Sequence, residues 1–307
     1  MAGRLGLKVD VDTLEGFCKG VPALMEVLAK HGVKASFFLS LGPDNSGRAL
    51  LRIFRQRGFL EKMWRTRAPA LYGFKTMCYG TLLPAPLIGT ASPHLLPQLS
   101  AAGHEVGLHG YDHVRWHDHL FNFTPERVAR EISLAQATYT TLMKKPAFSF
   151  AAPGWQCSLN SRTALADQHF LYGSDTRGTA PYFPAFGDII TQVLEIPTTL
   201  PTLDELFGFH GCRPQDFTSL VLARLEKGPP QVLTLHTEVE GGPFLGEFDR
   251  LIDRCRQQGV EFFRLEDWAR ELLREPDNVP VAQVNLQCLP GRAGRVSCQG
   301  PFMRRPS

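Results

Sequence analysis

The 307-residue sequence lacks what several protein classes require. Its seven cysteines (Cys18, Cys78, Cys157, Cys212, Cys255, Cys288 and Cys298) are odd in number, scattered, and contain no CxxC pair. A disulfide framework is therefore not expected, and reduced thiols in a cytosolic setting are the simpler reading. Excess charge is also scarce. Thirty-three basic against 30 acidic residues leave a net charge of +3, too mild to argue for a nucleic-acid partner. Met1 to Lys8 runs straight into a strand-like segment, with no apolar signal core and no small-residue cleavage site, so no secretory signal is expected. The longest stretch without a formal charge, Thr76 to Gly103, could cross a bilayer by length, but Pro84, Pro86, Pro93 and Pro97 break any continuous helix. A spanning helix is excluded; contact with a membrane surface is not. No internal repeat is present.

What the chain does have is alternation. Short apolar runs at Leu5–Val9, Ala35–Leu39, Glu105–Leu108, Ala147–Ala151, Phe170–Gly173, Val193–Ile196, Val232–Leu235 and Val260–Phe263 are separated by helical patterns. In the segment after Thr124, apolar positions recur at 128, 132, 135, 139 and 142, behind a capping Thr124 and a first-turn Pro125. Val21 to His31 is a second amphipathic helix, closed by Gly32. Repeated strand–helix alternation predicts an α/β fold with parallel strands. Two regions break the rhythm. Residues 42–103 form a long insertion between the second and third strands, and residues 276–307 have weak periodicity, which predicts a loosely ordered tail after a 1–275 domain.

Polar residues gather at predicted strand ends. Asp10 and Asp12 lie two apart, so both carboxylates project to one side of the first strand. They either cap the following turn or serve a site at the C-terminal end of the strand, where an α/β barrel places its active site. His109 and His113 follow the third strand at a spacing that lets two imidazoles converge on one ion. His117 and His119 are expected at the surface or behind that pair. His236 ends a buried-type strand, and Asp175 follows another. Both have ordinary readings, as a strand-end histidine on a carbonyl and as a turn cap.

One chemistry uses all of them. A divalent metal (zinc, cobalt or manganese) on Asp12, His109 and His113 polarises an amide carbonyl and acidifies its bound water. Asp10 is the base, His236 protonates the departing amine, and Asp175 orients His236. A two-histidine, one-carboxylate iron oxygenase would leave Asp10 and His236 without roles. A catalytically dead membrane-binding module would not need an intact ligand set, base and acid.

These residues resemble the motifs of the polysaccharide deacetylase, or NodB-homology, family in order: Asp10-Val-Asp12, His109-x3-His113, Ala152-Pro-Gly-Trp155, Asp175 and Leu235-His236. The resemblance implies a distorted (β/α)7 barrel and a metal-dependent amide hydrolase. One position departs. Ala151 stands where the family carries an arginine beside the catalytic carboxylate, and Arg177 is the expected replacement. Further matches at Val9–Thr13, Ser40–Arg48, Gln192–Pro201 and His236–Gly241 resemble a deformylase branch of the family. That branch implies an undecaprenyl-phosphate-linked formamido sugar as substrate, an amino sugar destined for lipid A, a part in polymyxin resistance, and a peripheral place on the cytoplasmic face of the inner membrane. The rival within the family is an N-deacetylase of another acetylated sugar or glycan. Glu238, Glu240, Trp155 and Tyr111 are the expected substrate contacts. The segment 44–75 adds eight basic residues against Asp44 and Glu61, a net +6, interleaved with large apolar residues such as Phe54, Phe59, Trp64 and Phe74. That composition suits either an anchor on anionic lipid or a helix packed on the barrel.

Overall fold

The computed structural model describes residues 3–49, 75–207, 212–226 and 228–303. Most of the basic segment 44–75 lies outside the described residues, so its reading as an anchor is not addressed by the fold.

β1 (Arg4–Val11) is the hub of an eight-stranded sheet. One of its edges carries β9 (Gln231–His236), paired in parallel from Leu5 to Asp10. Its remaining partners are β10 (Glu261–Phe263), paired along Arg4–Gly6, and β2 (Ser36–Leu39), paired along Lys8–Val11. From β2 the sheet continues in parallel through β3 (Glu105–Leu108), β4 (Ser149–Phe150), β5 (Tyr172–Gly173) and β8 (Leu194–Glu195). Beyond β8, the Thr199 and Leu200 amides both donate to Val232 O on β9 at 3.1 Å, bringing the sheet round on itself. The parallel α/β fold expected from the alternation is present, and its curled sheet matches the distorted barrel that the resemblance implies.

Strand periodicity explains which side chains go where. Leu5, Leu7, Val9 and Val11 are fully buried under the helices, as alternate positions on one face of β1. Lys8 and Asp10, on the other face, point into the barrel. Its interior is unusually polar at both ends, with apolar residues such as Phe38, Ala151, Leu194 and Val232 between. Below this layer Glu105 accepts from Ser149 Oγ (2.7 Å) and Tyr172 Oη (2.6 Å). Gly107 is required beside them, since a Cβ there would lie 2.5 Å from Ser149 Oγ and 2.8 Å from Phe38 Cδ1. The helix Pro125–Met143 starts as the sequence predicts, with Thr124 Oγ1 accepting from Arg127 N.

The C-terminal region differs from expectation. β11 (Val281–Cys288) and β12 (Arg295–Met303) form an antiparallel hairpin that joins β6 (Phe183–Phe186) and β7 (Ile189–Ile190) in a second sheet. The hairpin is tied to the barrel as well, because Arg177 N donates to Ser297 O and Gln299 N to Arg177 O. The expected loose tail is therefore an ordered part of the structure up to Met303. Its alternation was obscured by polar residues on an edge hairpin with one solvated face.

Candidate active site

The C-terminal ends of β1, β3 and β9 converge. Parallel register sets Asp10 directly opposite His236, so both side chains emerge on the interior face. Asp12, two residues on, reaches the residues that follow β3. His109 Nε2 lies 3.2 Å from Asp12 Oδ1, and His113 Nε2 lies 3.3 Å from Asp12 Oδ2.

The two histidines arrive by different routes. His109 directly follows β3, and its amide donates to Leu39 O at 2.8 Å. The chain then turns at Gly110, whose φ of +75° is a left-handed conformation that L side chains resist. Asp112 caps the next helix, His113–His119, by accepting from Arg115 N, so His113 opens the helix. The expected convergence of His109 and His113 occurs through a glycine turn and a capped helix start, not through one continuous helical turn.

The donor set suits a divalent ion. Ligand atoms of Asp12, His109 and His113 all lie within 4.8 Å of one another. His109 Nδ1 is 2.8 Å from Ala151 O; a carbonyl only accepts, so Nδ1 carries the proton and Nε2 turns its lone pair inward. Asp12 Oδ1 is buried without a hydrogen-bond partner. Burial alone would raise Asp12, but His113 and His109 outweigh it and hold its carboxyl well below the usual carboxylate range. His109 is raised: burial works against its charged form, and the Asp10 and Asp12 carboxylates overcome that.

Asp10 stands beside this set. Its Oδ2 is 4.0 Å from His109 Nε2 and 3.1 Å from Lys8 Nζ, while its buried Oδ1 has no partner. Lys8 is fully buried, donates to Ser174 O at 3.2 Å, and lies 5.2 Å over the Trp155 ring. The cation beside Asp10 is thus Lys8. Arg177 does not take the place of the arginine absent at position 151: its Nη1 donates to Glu205 Oε1 (2.6 Å) and its Nη2 to Leu200 O (2.9 Å). Lys8 escaped the sequence reading although the signal was there, a lone charge on a buried-type strand, two residues before Asp10 and on the same face.

The expected pairing of Asp175 with His236 is also corrected. Asp175 Oδ2 accepts from Arg162 Nη1 at 2.7 Å, and the same nitrogen donates to Glu195 Oε2 at 2.8 Å. Arg162 passes so close over β5 that a Cβ on Gly173 would lie 2.2 Å from its Nη1. Burial raises Asp175 despite Arg162, and burial with the neighbouring Asp175 pushes Glu195 up to about 7. The carboxylate near His236 is Asp204, with Oδ1 3.9 Å from His236 Nδ1. Asp204 sits in the short helix Leu203–Leu206, started by Thr202 and Glu205 as a capping box. The T-x-x-E pattern announces that helix, but nothing in the sequence points Asp204 at His236.

The expected sugar contacts fare unevenly. Glu238 Oε1 is occupied by Thr13 N (2.9 Å) and Thr13 Oγ1 (2.6 Å), and Glu240 Oε2 by His236 N (2.8 Å). Both glutamates are buried, so they brace the loops around Asp12 and His236 and are not open to a sugar. Burial, aided by the negative Asp12, pushes Glu238 up to about 8; burial does the same for Glu240. Trp155 is buried too. Its Nε1 donates to Thr198 Oγ1 at 3.0 Å, and its ring meets His236 edge-on at 6.2 Å. Arg177 and Arg292 lie over that ring at 5.0 and 4.3 Å, which makes Trp155 a packing plate behind the histidine. Arg292 comes from the C-terminal hairpin turn. Tyr111, half-buried, lines a cavity together with Asp112, the residue before His113. His117 stacks behind His113 at 6.4 Å and His119 is exposed, as expected of both.

Comparison with known proteins follows the same outline. A family model described as Polysaccharide deacetylase matches residues 11–172. The chain is 35% identical over 303 residues, 98% of its length and 96% of the relative's, to a Shewanella sediminis protein named Probable 4-deoxy-4-formamido-L-arabinose-phosphoundecaprenol deformylase ArnD. A protein of the same name from Wigglesworthia glossinidia brevipalpis is 32% identical over 287 residues, 93% of this chain and 98% of that one. Among solved structures, a probable polysaccharide deacetylase from Pseudomonas aeruginosa PAO1 superposes with a TM-score of 0.60 at 18% identity, covering 89% of this chain and 92% of that one. Puue Allantoinase gives the same score and identity over 89% and 91%. At that identity the two structures establish the fold alone.

Proposed function

The chain belongs to the polysaccharide deacetylase family and is an amide hydrolase that removes a small acyl group; from that premise we propose that its substrate is undecaprenyl-phosphate-linked 4-deoxy-4-formamido-L-arabinose. The observation that carries the substrate is the extent of the likeness to the named deformylases, nearly end to end at 35% identity. The product is formate and the free amino sugar, which places the enzyme in lipid A modification and polymyxin resistance.

Asp12, His109 and His113 would hold a divalent metal (zinc, cobalt or manganese). When bound, it supplies a polarised formyl carbonyl and a water of lowered pKa. Asp10 is the base: its unpartnered Oδ1 would take a proton from water, while Lys8 fixes Oδ2. His236 faces Asp10 across paired strands and gives a proton to the amine nitrogen as the C–N bond breaks. Asp204 and Trp155 fix the imidazole, and Glu240 holds its backbone. Tyr111, at the edge of the set, is the remaining candidate to touch the sugar.

We read the enzyme as a peripheral protein on the cytoplasmic face of the inner membrane. Among the described residues no helix is long and apolar enough to cross a membrane. Leu82, Leu83 and Leu87 stand exposed in the uncharged stretch that follows the +6 segment. Buried methylenes of a polyprenyl chain at about 0.8 kcal/mol each, and basic residues at about 1 kcal/mol each, would favour an anionic surface. Sedimentation with anionic vesicles at low salt, reversed by high salt, is the expected result.

The decisive assay incubates the enzyme with the synthetic formamido-arabinosyl lipid and with its acetamido analogue, with and without chelator. Formate release from the first, abolished by chelator, is expected. Equal or faster acetate release from the second would transfer the assignment to an N-deacetylase.

A further inference from the structure

A groove lies beside Tyr111 and Asp112, which join the two histidines in the chain, and reaches Asn45, Arg48, Gly80 and Thr81 of the insertion. Two cavities of about 350 and 360 Å³ share Asn45, Arg48, Asp112 and Arg115 in their walls, and Tyr111, Arg127 and Arg130 extend the first. The groove begins one residue from a metal ligand, because Asp112 directly precedes His113.

Its carboxylates face inward and are engaged. Asp112 accepts from Asn45 Nδ2 (2.8 Å) and Arg115 N (3.0 Å). Glu131 Oε1 accepts from Arg127 Nη2 (2.6 Å) and lies 3.7 Å from Arg115 Nη1. Both acids are buried, whereas Arg48, Arg115 and Arg130 are exposed. Arg48 is held by its Nε on Gly80 O at 2.9 Å. Arg130 has no carboxylate partner among the described residues. Four guanidinium groups against two carboxylates leave the first cavity positive, and the charges a solute meets are the guanidinium groups. Planar forks of N–H donors match phosphate oxygens two at a time. The second cavity adds Asp118, which is bonded to His117, and His119.

We propose that this groove binds the phosphodiester of a prenyl-linked sugar, holding the anion while the sugar's amide reaches the metal ligands. The inference rests on the substrate reading above, in which phosphate and formamide sit on one sugar ring. It extends that reading by assigning Arg48, Arg115, Arg127 and Arg130 to the phosphate. The same groove offers a path for the lipid. Pro43 and Ala85 line it, Pro43 pairs with Leu87 in a short bridge, and Leu87, Leu82 and Leu83 are exposed beyond.

The test is a calorimetric titration of the metal-loaded full chain with a short prenyl phosphate, the matching prenol and inorganic phosphate. Prenyl phosphate is expected to bind more tightly than either of the others. The paired substitution Arg48→Gln and Arg130→Gln is expected to weaken it at least about tenfold at equal metal content, with partial recovery in the Arg48→Lys, Arg130→Lys pair. Unchanged affinity in the glutamine pair would place the phosphate on the metal and overturn the proposal, as would prenol binding equally well. Inorganic phosphate matching prenyl phosphate would overturn the lipid-linked source. Because no turnover is measured, arginine-dependent prenyl phosphate binding supports the groove even if formate release fails; that failure would fall on the assigned reaction alone.

Discussion

The two walls of the barrel mouth are built on opposite terms. On the β1–β3 side, Asp12, His109 and His113 bring ligand atoms within 4.8 Å of one another, and Asp12 Oδ1 is left without a hydrogen-bond partner. On the β5–β8–β9 side, the charges are matched within the protein: Arg162 between Asp175 and Glu195, and Arg177 and Arg292 on Glu205. Unpaired buried atoms occur on both walls, Asp175 Oδ1 and Glu240 Oε1 among them, so what marks the first as a binding place is the convergence of a carboxylate and two imidazoles on one point. A compensated network holds shape instead. His236 stands on the second wall and depends on it for position.

That contrast can be broken most severely at Asp12. In Asp12→Ala, bound metal should fall well below one per chain and formate release by at least about 10³-fold; full metal content with full activity would end the ligand assignment. His236→Gln should cut kcat by roughly 10²–10³-fold and leave metal stoichiometry intact. Metal loss there would mean that the walls are not separate. Arg162→Met strands two buried carboxylates, and urea unfolding should register a loss of about 3–5 kcal/mol, with bound metal retained in the folded fraction.

A pH-dependent effect sits behind His236. Burial raises Glu240 from an ordinary value of 4.5 to about 8, so between those limits the folded chain keeps a proton that the unfolded chain has lost. Its contribution to stability is present below about pH 4.5 and disappears as pH rises through about 8. Glu240→Gln should therefore flatten the decline of the melting temperature between pH 5 and pH 8. An unaltered slope would show that this carboxyl is ionised when buried.

The first wall was largely legible in the sequence and the second was not, for a physical reason. Asp10, Asp12, His109 and His113 lie at ends of strands whose apolar runs are plain, and period-two geometry places them. Lys8 was equally accessible to that argument. Arg162, Asp204 and Arg292 act across 13 to 87 residues of chain, from elements whose positions depend on how the sheet closes. The choice of Arg162 rather than His236 as the partner of Asp175 follows from the helix Leu159–Asp167 packing against β5, and local pattern does not encode it. The C-terminal hairpin was missed similarly, since its support is β6, an element the helical rhythm conceals.

The arrangement of strands around β1 divides the candidate site along the chain. β1, β2 and β3 bring Asp12, His109 and His113 together from the first 113 residues, and β9 delivers His236 onto β1 only after more than a hundred further residues. A chain made from its N-terminus therefore contains the proposed ligand residues well before the proposed proton donor. Long-range parallel pairing is slow to form. Docking of β9 on β1 is thus the pairing that would complete the proposed site.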